Sequence, residues 1–240
     1  YGGTSVANLD CMQQVESKVK EALNQGYKVL VVLSAMSGET DRLLALARNW
    51  SSSPDSSEMD VLLTTGEQTS VALFAMLLKD AGIRARSLLG FQIPLITDCC
   101  FGKARILDIE YQAIQKLLQN YDVLVVAGFQ GFDKEQRLTT LGRGGSDTSA
   151  VALAAVTKAE LCEIFTDVNG VYTTDPNICP QARKLERISY DEMLEMASMG
   201  AKVLQIRSVE FAKKYNVPVH VRSTFCDEQG TYLVQEDKSM

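Results

Sequence analysis

Apolar runs of strand length alternate with helix-length segments along nearly the whole chain, and this order restricts the fold more than any other property of the sequence. Strand-like runs fall at residues 28–33, 85–89, 122–127, 161–165, 217–222 and 231–234. Helical patterns fall at residues 8–25, 41–49, 59–81, 106–120, 146–158, 190–199 and 208–216. A strand that returns to its sheet through a helix runs parallel to its predecessor. The pattern therefore predicts an α/β protein with a mainly parallel sheet covered by helices on both faces. In open sheets of that sort, ligands collect at the carboxyl ends of the strands.

Turn-rich segments stand at those strand ends. Residues 140–150 place Gly142, Gly144 and Gly145 beside Arg143, Ser146 and Asp147, between an apolar strand and a helix. Backbone N–H groups and the helix dipole there favour an anion such as a phosphate or carboxylate. The same residues also suit an ordinary connection, with glycines supplying positive φ and Ser146 capping the helix. Gly2 and Gly3 open the chain ahead of the helix at 8–25, and residues 165–176 form a third turn-rich segment after a strand. Residues 34–40 adjoin the end of the strand at 28–33. Together these segments predict a cleft lined by several strand ends. Neither G-x-x-x-x-G-K-[ST] nor a G-x-G-x-x-G after the first strand occurs, so the best-known nucleotide motifs are excluded.

With 240 residues, 46% of them hydrophobic and 22% charged, the chain can bury a full core in one large domain or two closely joined lobes. A formal charge of −6 without clustered Lys and Arg argues against nucleic acid as a partner. No apolar run has the length of a membrane span and no signal pattern opens the chain, so no membrane partner is expected. The six cysteines (Cys11, Cys99, Cys100, Cys162, Cys179 and Cys226) lack C-x-x-C spacing, which disfavours a zinc site or disulfide framework and points to reduced cytoplasmic thiols. His220, the single histidine, lies between Val219 and Val221 and reads as structural, which disfavours histidine acid–base chemistry. The serine-rich stretch 51–57 reads as a mobile surface loop, and residues 227–240 as a linker or tail with one short strand.

The segments Y-G-G-T-S-V, V-L-S-A, L-T-T-G-E, T-T-L-G-R-G-G-S-D-T, T-D-V-N-G-V-Y-T-T-D-P and M-G-A-K-V-L, in this order, resemble aspartate kinases. The T-D-V element is shared with the wider amino acid kinase superfamily, including bacterial UMP kinase; the opening G-G-T-S and the L-G-R-G-G-S-D loop are more specific. The resemblance implies a three-layer α/β/α sandwich with a catalytic domain over residues 1–226, divided into an amino-acid lobe at about 1–158 and a nucleotide lobe at about 159–226. It implies transfer of the ATP γ-phosphate, with Mg²⁺, to the β-carboxylate of L-aspartate, the first step towards lysine, threonine and methionine. A cytoplasmic homo-oligomer is implied as well.

Roles carry over by matching positions. Gly2 and Gly3 would cradle the phosphates and act with Asp147 and Lys202 in catalysis. Thr4, Ser34, Thr40, Glu67, Arg143 and Ser146 would hold aspartate, with Glu67 facing its α-amino group and Arg143 gripping a carboxylate. Thr166, Asp167, Tyr172 and Asp175 would build the nucleotide pocket, into which Lys202 reaches; no protein ligand to a metal is implied. The sequence departs from the family pattern at several points. A lysine is expected immediately before the segment that here begins with Tyr1, Gln205 and Ile206 stand where His-Pro is usual, and Asn177 replaces a frequent basic residue. Paired ACT domains usually follow. The alternatives are another acceptor, such as glutamate or UMP, or a binding module without turnover.

Overall fold

The computed structural model describes residues 1–176, 178–201 and 203–235. After a 3-10 turn at Gly3–Val6, the chain forms α1 (Leu9–Asn24), β1 (Val29–Leu33), α2 (Glu39–Trp50), α3 (Ser56–Asp80) and β2 (Ala85–Leu88). There follow β3 (Leu95–Thr97), β4 (Ile106–Ile109), α4 (Tyr111–Asn120), β5 (Val123–Ala127), β6 (Gln130–Phe132), β7 (Leu138–Thr140) and α5 (Gly145–Thr157). The remainder comprises β8 (Cys162–Thr166), β9 (Arg187–Ser189), α6 (Tyr190–Ser198), α7 (Ile206–Tyr215), β10 (Val219–Ser223) and β11 (Thr231–Val234).

Strand order is β2-β5-β1 in one sheet and β8-β10-β11-β9 in a second, parallel except for the β10–β11 pair. The first two residues splice these sheets. The Tyr1 nitrogen donates to Val32 O at 2.8 Å, Ser34 N donates to Tyr1 O at 3.1 Å, and Gly2 N donates to Phe165 O at 3.3 Å. The Tyr1 ring stacks on Phe165 with centroids 4.5 Å apart. A small third sheet, β4-β3-β6-β7, lies beside them.

Side-chain parity along the strands builds the layers, because successive residues of a strand point to opposite faces. Val31 and Leu33 of β1 and Val123 and Val125 of β5 pack against Val15 and Val19 of α1 and Val71, Phe74 and Leu78 of α3. Their neighbours Val32, Leu124 and Val126 face the other way, onto Ile114 of α4 and Ala152 and Leu153 of α5. In the second sheet, Ile164, Val219, Val221 and Leu233 pack against α5, α6 and α7 through Val151, Met193, Val209 and Ala212. Each fully buried side chain of this kind contributes about 1.5–3 kcal/mol. The architecture is the mainly parallel α/β/α sandwich expected.

Several elements differ from the sequence reading. The pattern at 106–120 divides into β4 and α4, because Ile106–Ile109 pairs antiparallel with β3 instead of joining the helix. β3, β6, β7 and β9 are strands of only three residues each that the apolar pattern misses. Ser56 and Ser57 belong to α3, and Asp55 caps it by accepting from Ser57 N at 2.9 Å and Glu58 N at 3.2 Å. Among the described residues α3 is the one helix long and apolar enough to cross a bilayer, yet its Val71, Phe74 and Leu78 lie in the core. His220 is structural as expected: it is buried, its Nε2 lies 2.5 Å from Gln229 O, and its ring stacks on Tyr232.

Asp60 of α3 holds two distant segments together. Its carboxylate, 1% exposed, accepts from Gly102 N at 2.9 Å, Thr140 N at 2.7 Å and Thr140 Oγ1 at 2.7 Å. A buried donor stripped of its acceptor incurs the full cost of desolvation. Asp60→Asn, which turns an NH₂ group towards these donors, is expected to cost about 2 kcal/mol of unfolding free energy. Urea titration checks this; an unchanged midpoint would show that the donors find other acceptors.

Candidate functional site

The carboxyl ends of β1, β5 and β8 meet at the splice made by Tyr1 and Gly2. Gly3 O accepts from Ser37 N at 3.1 Å, and a Cβ on Gly3 would lie 2.8 Å from Ala35 O, so no side chain fits there. Gly2 and Gly3 therefore lie against the segment after β1 while touching the end of β8. Next to them, Ser5 is fully buried and shares a 2.7 Å hydrogen bond with Thr224 just beyond β10, whereas Thr4 is exposed.

Glu67 enters this region from α3. A Cβ on Gly66 would lie 2.8 Å from the Ala35 Cβ, and this close approach of helix and loop lets Glu67 Oε1 accept from Ala35 N at 3.0 Å. Its other oxygen, Oε2, is buried and has no hydrogen-bond partner among the described residues. Burial pushes the carboxyl up to about 7, against the opposing pull of the Ala35 N–H. A buried, half-satisfied carboxylate is costly without a cation beside it. Ser34 and Thr40, on the same strand-to-helix connection, are partly buried.

The glycine loop leads into α5 through a residue in the left-handed region. Gly144, at φ 67°, precedes α5 and no side chain caps the helix, so Ser146 does not serve as its N-cap. Gly145 N donates to Gly142 O at 2.9 Å, and no side chain accepts from the N–H groups of Ser146 and Asp147, where the helix dipole is positive. Ser146 packs on Gly128 after β5, where an added Cβ would meet its Oγ at 2.7 Å. Arg143 is exposed between Gly142 and Gly144, both left-handed, and makes no hydrogen bond or ion pair with a described residue. It does not pair with Asp147. Burial raises the Asp147 carboxyl above its usual range. Cys162 of β8 is pushed up to about 12, chiefly by burial, with the Asp147 and Glu163 carboxylates adding to it.

On the β8 side, Thr166 Oγ1 donates to Asp167 Oδ1 at 3.1 Å, and Asp167 is exposed. Further along, Tyr172 bridges Lys184 and Asp175 O accepts from Ile178 N and Cys179 N. Lys202 lies outside the described residues. The structure thus brings Gly2, Gly3, Ser34, Glu67, Ser146, Asp147 and Thr166 to adjoining strand ends. It spreads Tyr172 and Asp175 along the outer segment. The sequence reading missed the Ala35 N–H, Asp60 and Arg207, because their partners lie far away in the chain and no local motif announces them.

Such an arrangement offers backbone donors and a helix N-terminus to an anion, a guanidinium to a carboxylate and a buried oxygen to a cation. No three His, Cys, Asp or Glu side chains among the described residues group to hold a metal ion.

The fold and this row of strand-end groups define an α/β protein with polar and charged residues gathered at the carboxyl ends of its parallel strands. The sequence profile of the amino acid kinase family matches residues 1–223, and the chain belongs to that family. It is 54% identical to an aspartate kinase of Pseudomonas putida, over all of this chain and 59% of that relative. The crystal structure of an aspartate kinase from Synechocystis superimposes with a TM-score of 0.86 at 47% identity, over 98% of this chain and 39% of that one. E. coli aspartokinase III, solved in complex with aspartate and ADP, gives a TM-score of 0.86 at 28% identity, over 99% of this chain and 64% of that one. The chain therefore spans about three-fifths of the length of the Pseudomonas relative, which it covers to 59%.

Proposed function

We propose that the chain is the catalytic part of an ATP-dependent aspartate kinase, acting in the cytoplasm on L-aspartate to give β-aspartyl phosphate for amino-acid biosynthesis. The observation that carries this reading is the buried, partnerless Oε2 of Glu67 beside strand ends rich in anion-binding groups. An α-ammonium supplies the missing donors, and a nucleoside monophosphate would not. UMP would set a phosphate near a buried carboxylate with no cation between them, whereas aspartate neutralises it. Glutamate differs from aspartate by one methylene, which pockets discriminate by about 1–3 kcal/mol.

An ionised carboxylate is already a nucleophile, so the reaction needs no general base; the obstacle is repulsion between anions. At an effective dielectric near 20, two like charges about 4 Å apart repel by about 4 kcal/mol. Arg143 offsets this at the acceptor with its planar fork, for which lysine is a poor substitute. Gly2 and Gly3 let the backbone approach the transferring group without side-chain obstruction, and the uncapped start of α5 adds its dipole. Asp147 would orient the cationic groups around the phosphates, and Lys202 would reach the nucleotide. Thr4, Ser34, Thr40 and Ser146 would supply hydroxyls to aspartate, and Thr166, Asp167, Tyr172 and Asp175 would line the nucleotide. Mg²⁺, when bound, would neutralise phosphate charge and would enter with the nucleotide. A homo-oligomer is the expected assembly.

The test is a coupled ADP-release assay on the full-length protein with Mg²⁺, offering L-aspartate, L-glutamate and UMP in parallel. Turnover with aspartate at least about tenfold above that with glutamate is expected. Turnover with UMP alone, or with none of the three at millimolar concentrations, would overturn the proposal.

A further inference from the structure

The first turn of α7 grips both flanks of the loop that carries Arg143. Arg207, the second residue of α7, donates from Nη1 to Leu141 O at 2.5 Å and from Nη2 to Ala104 O at 2.7 Å. Gln205, the residue capping the same helix, packs on Gly144 so tightly that a Cβ there would overlap its side chain. One helix start therefore touches the loop on each side of Arg143. The two carbonyls that Arg207 holds belong to segments already paired through Ala104 N donating to Thr140 O at 2.8 Å. Asp60 also fastens this pair by accepting from Gly102 N and Thr140 N.

The need for such a fastening follows from the loop itself. Gly142 and Gly144 have φ of 77° and 67°, and Arg143 between them has no partner of its own among the described residues. Two glycines flanking one residue give it wide conformational freedom. An unfastened guanidinium would lose much of its value, because displacing a binding group by about 1 Å can reduce catalysis about 100-fold. Leu141 and Ala104 expose almost no surface, so their carbonyls have little access to water if the guanidinium leaves.

We propose that Arg207 is a positioning residue: by tying Leu141 and Ala104 to α7 it fixes the direction from which Arg143 meets the acceptor carboxylate. The inference rests on reading Arg143 as an acceptor-binding residue. It also makes the first turn of α7, rather than the loop alone, a determinant of acceptor affinity.

Full-length wild-type protein, Arg207→Met and Arg207→Lys are compared in two ways. Steady-state kinetics vary L-aspartate and ATP separately, and amide hydrogen exchange is followed in peptides covering residues 140–146. Arg207→Met is expected to raise KM for aspartate about tenfold or more while KM for ATP stays within about twofold, and to speed exchange across the loop. Arg207→Lys, which keeps one donor for one carbonyl, recovers part of both effects. Equal increases in both KM values, or unchanged loop exchange, would overturn the proposal. Should Arg207→Met fail to fold, Arg207→Lys carries the same comparison with smaller changes. A wild-type protein inactive on aspartate would end the functional reading alone, and the exchange result would still decide whether Arg207 fastens the loop.

Discussion

Arg143→Ala is expected to lower kcat/KM for aspartate by about 10³, a loss of about 4 kcal/mol, while leaving folding stability within about 0.5 kcal/mol of wild type. The two halves of this expectation have one cause. Arg143 is exposed and bonded to no described residue, so the folded protein loses nothing when it is shortened. A bound dicarboxylic acid loses a bidentate, charge-assisted pair, and its carboxylate is left facing other anions. Arg143→Lys keeps the charge and loses the fork, so it should fall between the two and should impair aspartate more than ATP. Kinetics with each substrate varied, together with urea titration, measure both halves. Equal loss of aspartate and ATP affinity would contradict the role given to Arg143.

Glu67→Gln should make the ligand-free protein more stable and a much poorer enzyme. The carboxyl titrates at about 7 in the folded protein against an ordinary value of 4.5, because burial disfavours its charge. For a carboxyl raised in this way, wild type is not penalised below the ordinary value, loses stability as pH rises through this interval, and carries the full penalty above pH 7. The displacement corresponds to about 3 kcal/mol. Ligand-free Glu67→Gln should therefore exceed wild type by about 3 kcal/mol at pH 8, with the difference falling below about 1 kcal/mol at pH 5. The Ala35 N–H keeps an acceptor in the glutamine carbonyl, so the comparison isolates the charge. In the wild type, protonation removes the partner of the substrate ammonium, so KM for aspartate should be about tenfold higher at pH 6 than at pH 8. A stability offset that does not change with pH would show that the carboxyl is not strained by burial.

The strands at the centre of the fold could be read from the chain because β1 and β5 are unbroken apolar runs of five residues, as a buried parallel position requires, and β8 and β10 mix apolar with polar side chains over the same length. The three-residue strands could not. β6 and β7 are held by their turn and by the Thr97–Thr139 hydroxyl contact at 2.6 Å, neither of which leaves a periodic apolar signature. At residues 106–109, apolar spacing fits a helix as readily as a strand, and pairing with β3 decides the outcome. The glycine segments of the site were legible because their requirement is local: positive φ at Gly142 and Gly144, and close backbone approach at Gly3. Glu67 could be recognised by position, but its unpaired oxygen depends on how closely α3 meets Ala35. Asp60 and Arg207 left no sign, since they act across 80 and 66 positions of sequence, respectively.

The rung formed by Tyr1 and Gly2 has a mechanical consequence. The two residues that hydrogen-bond to β1 and β8 lead directly into Gly3, so the two sheets cannot shift against each other without turning that rung. Sheet alignment and the placement of Gly3 are thereby geared together: any sliding of one sheet past the other would carry the backbone at Gly3 away from the segment after β1.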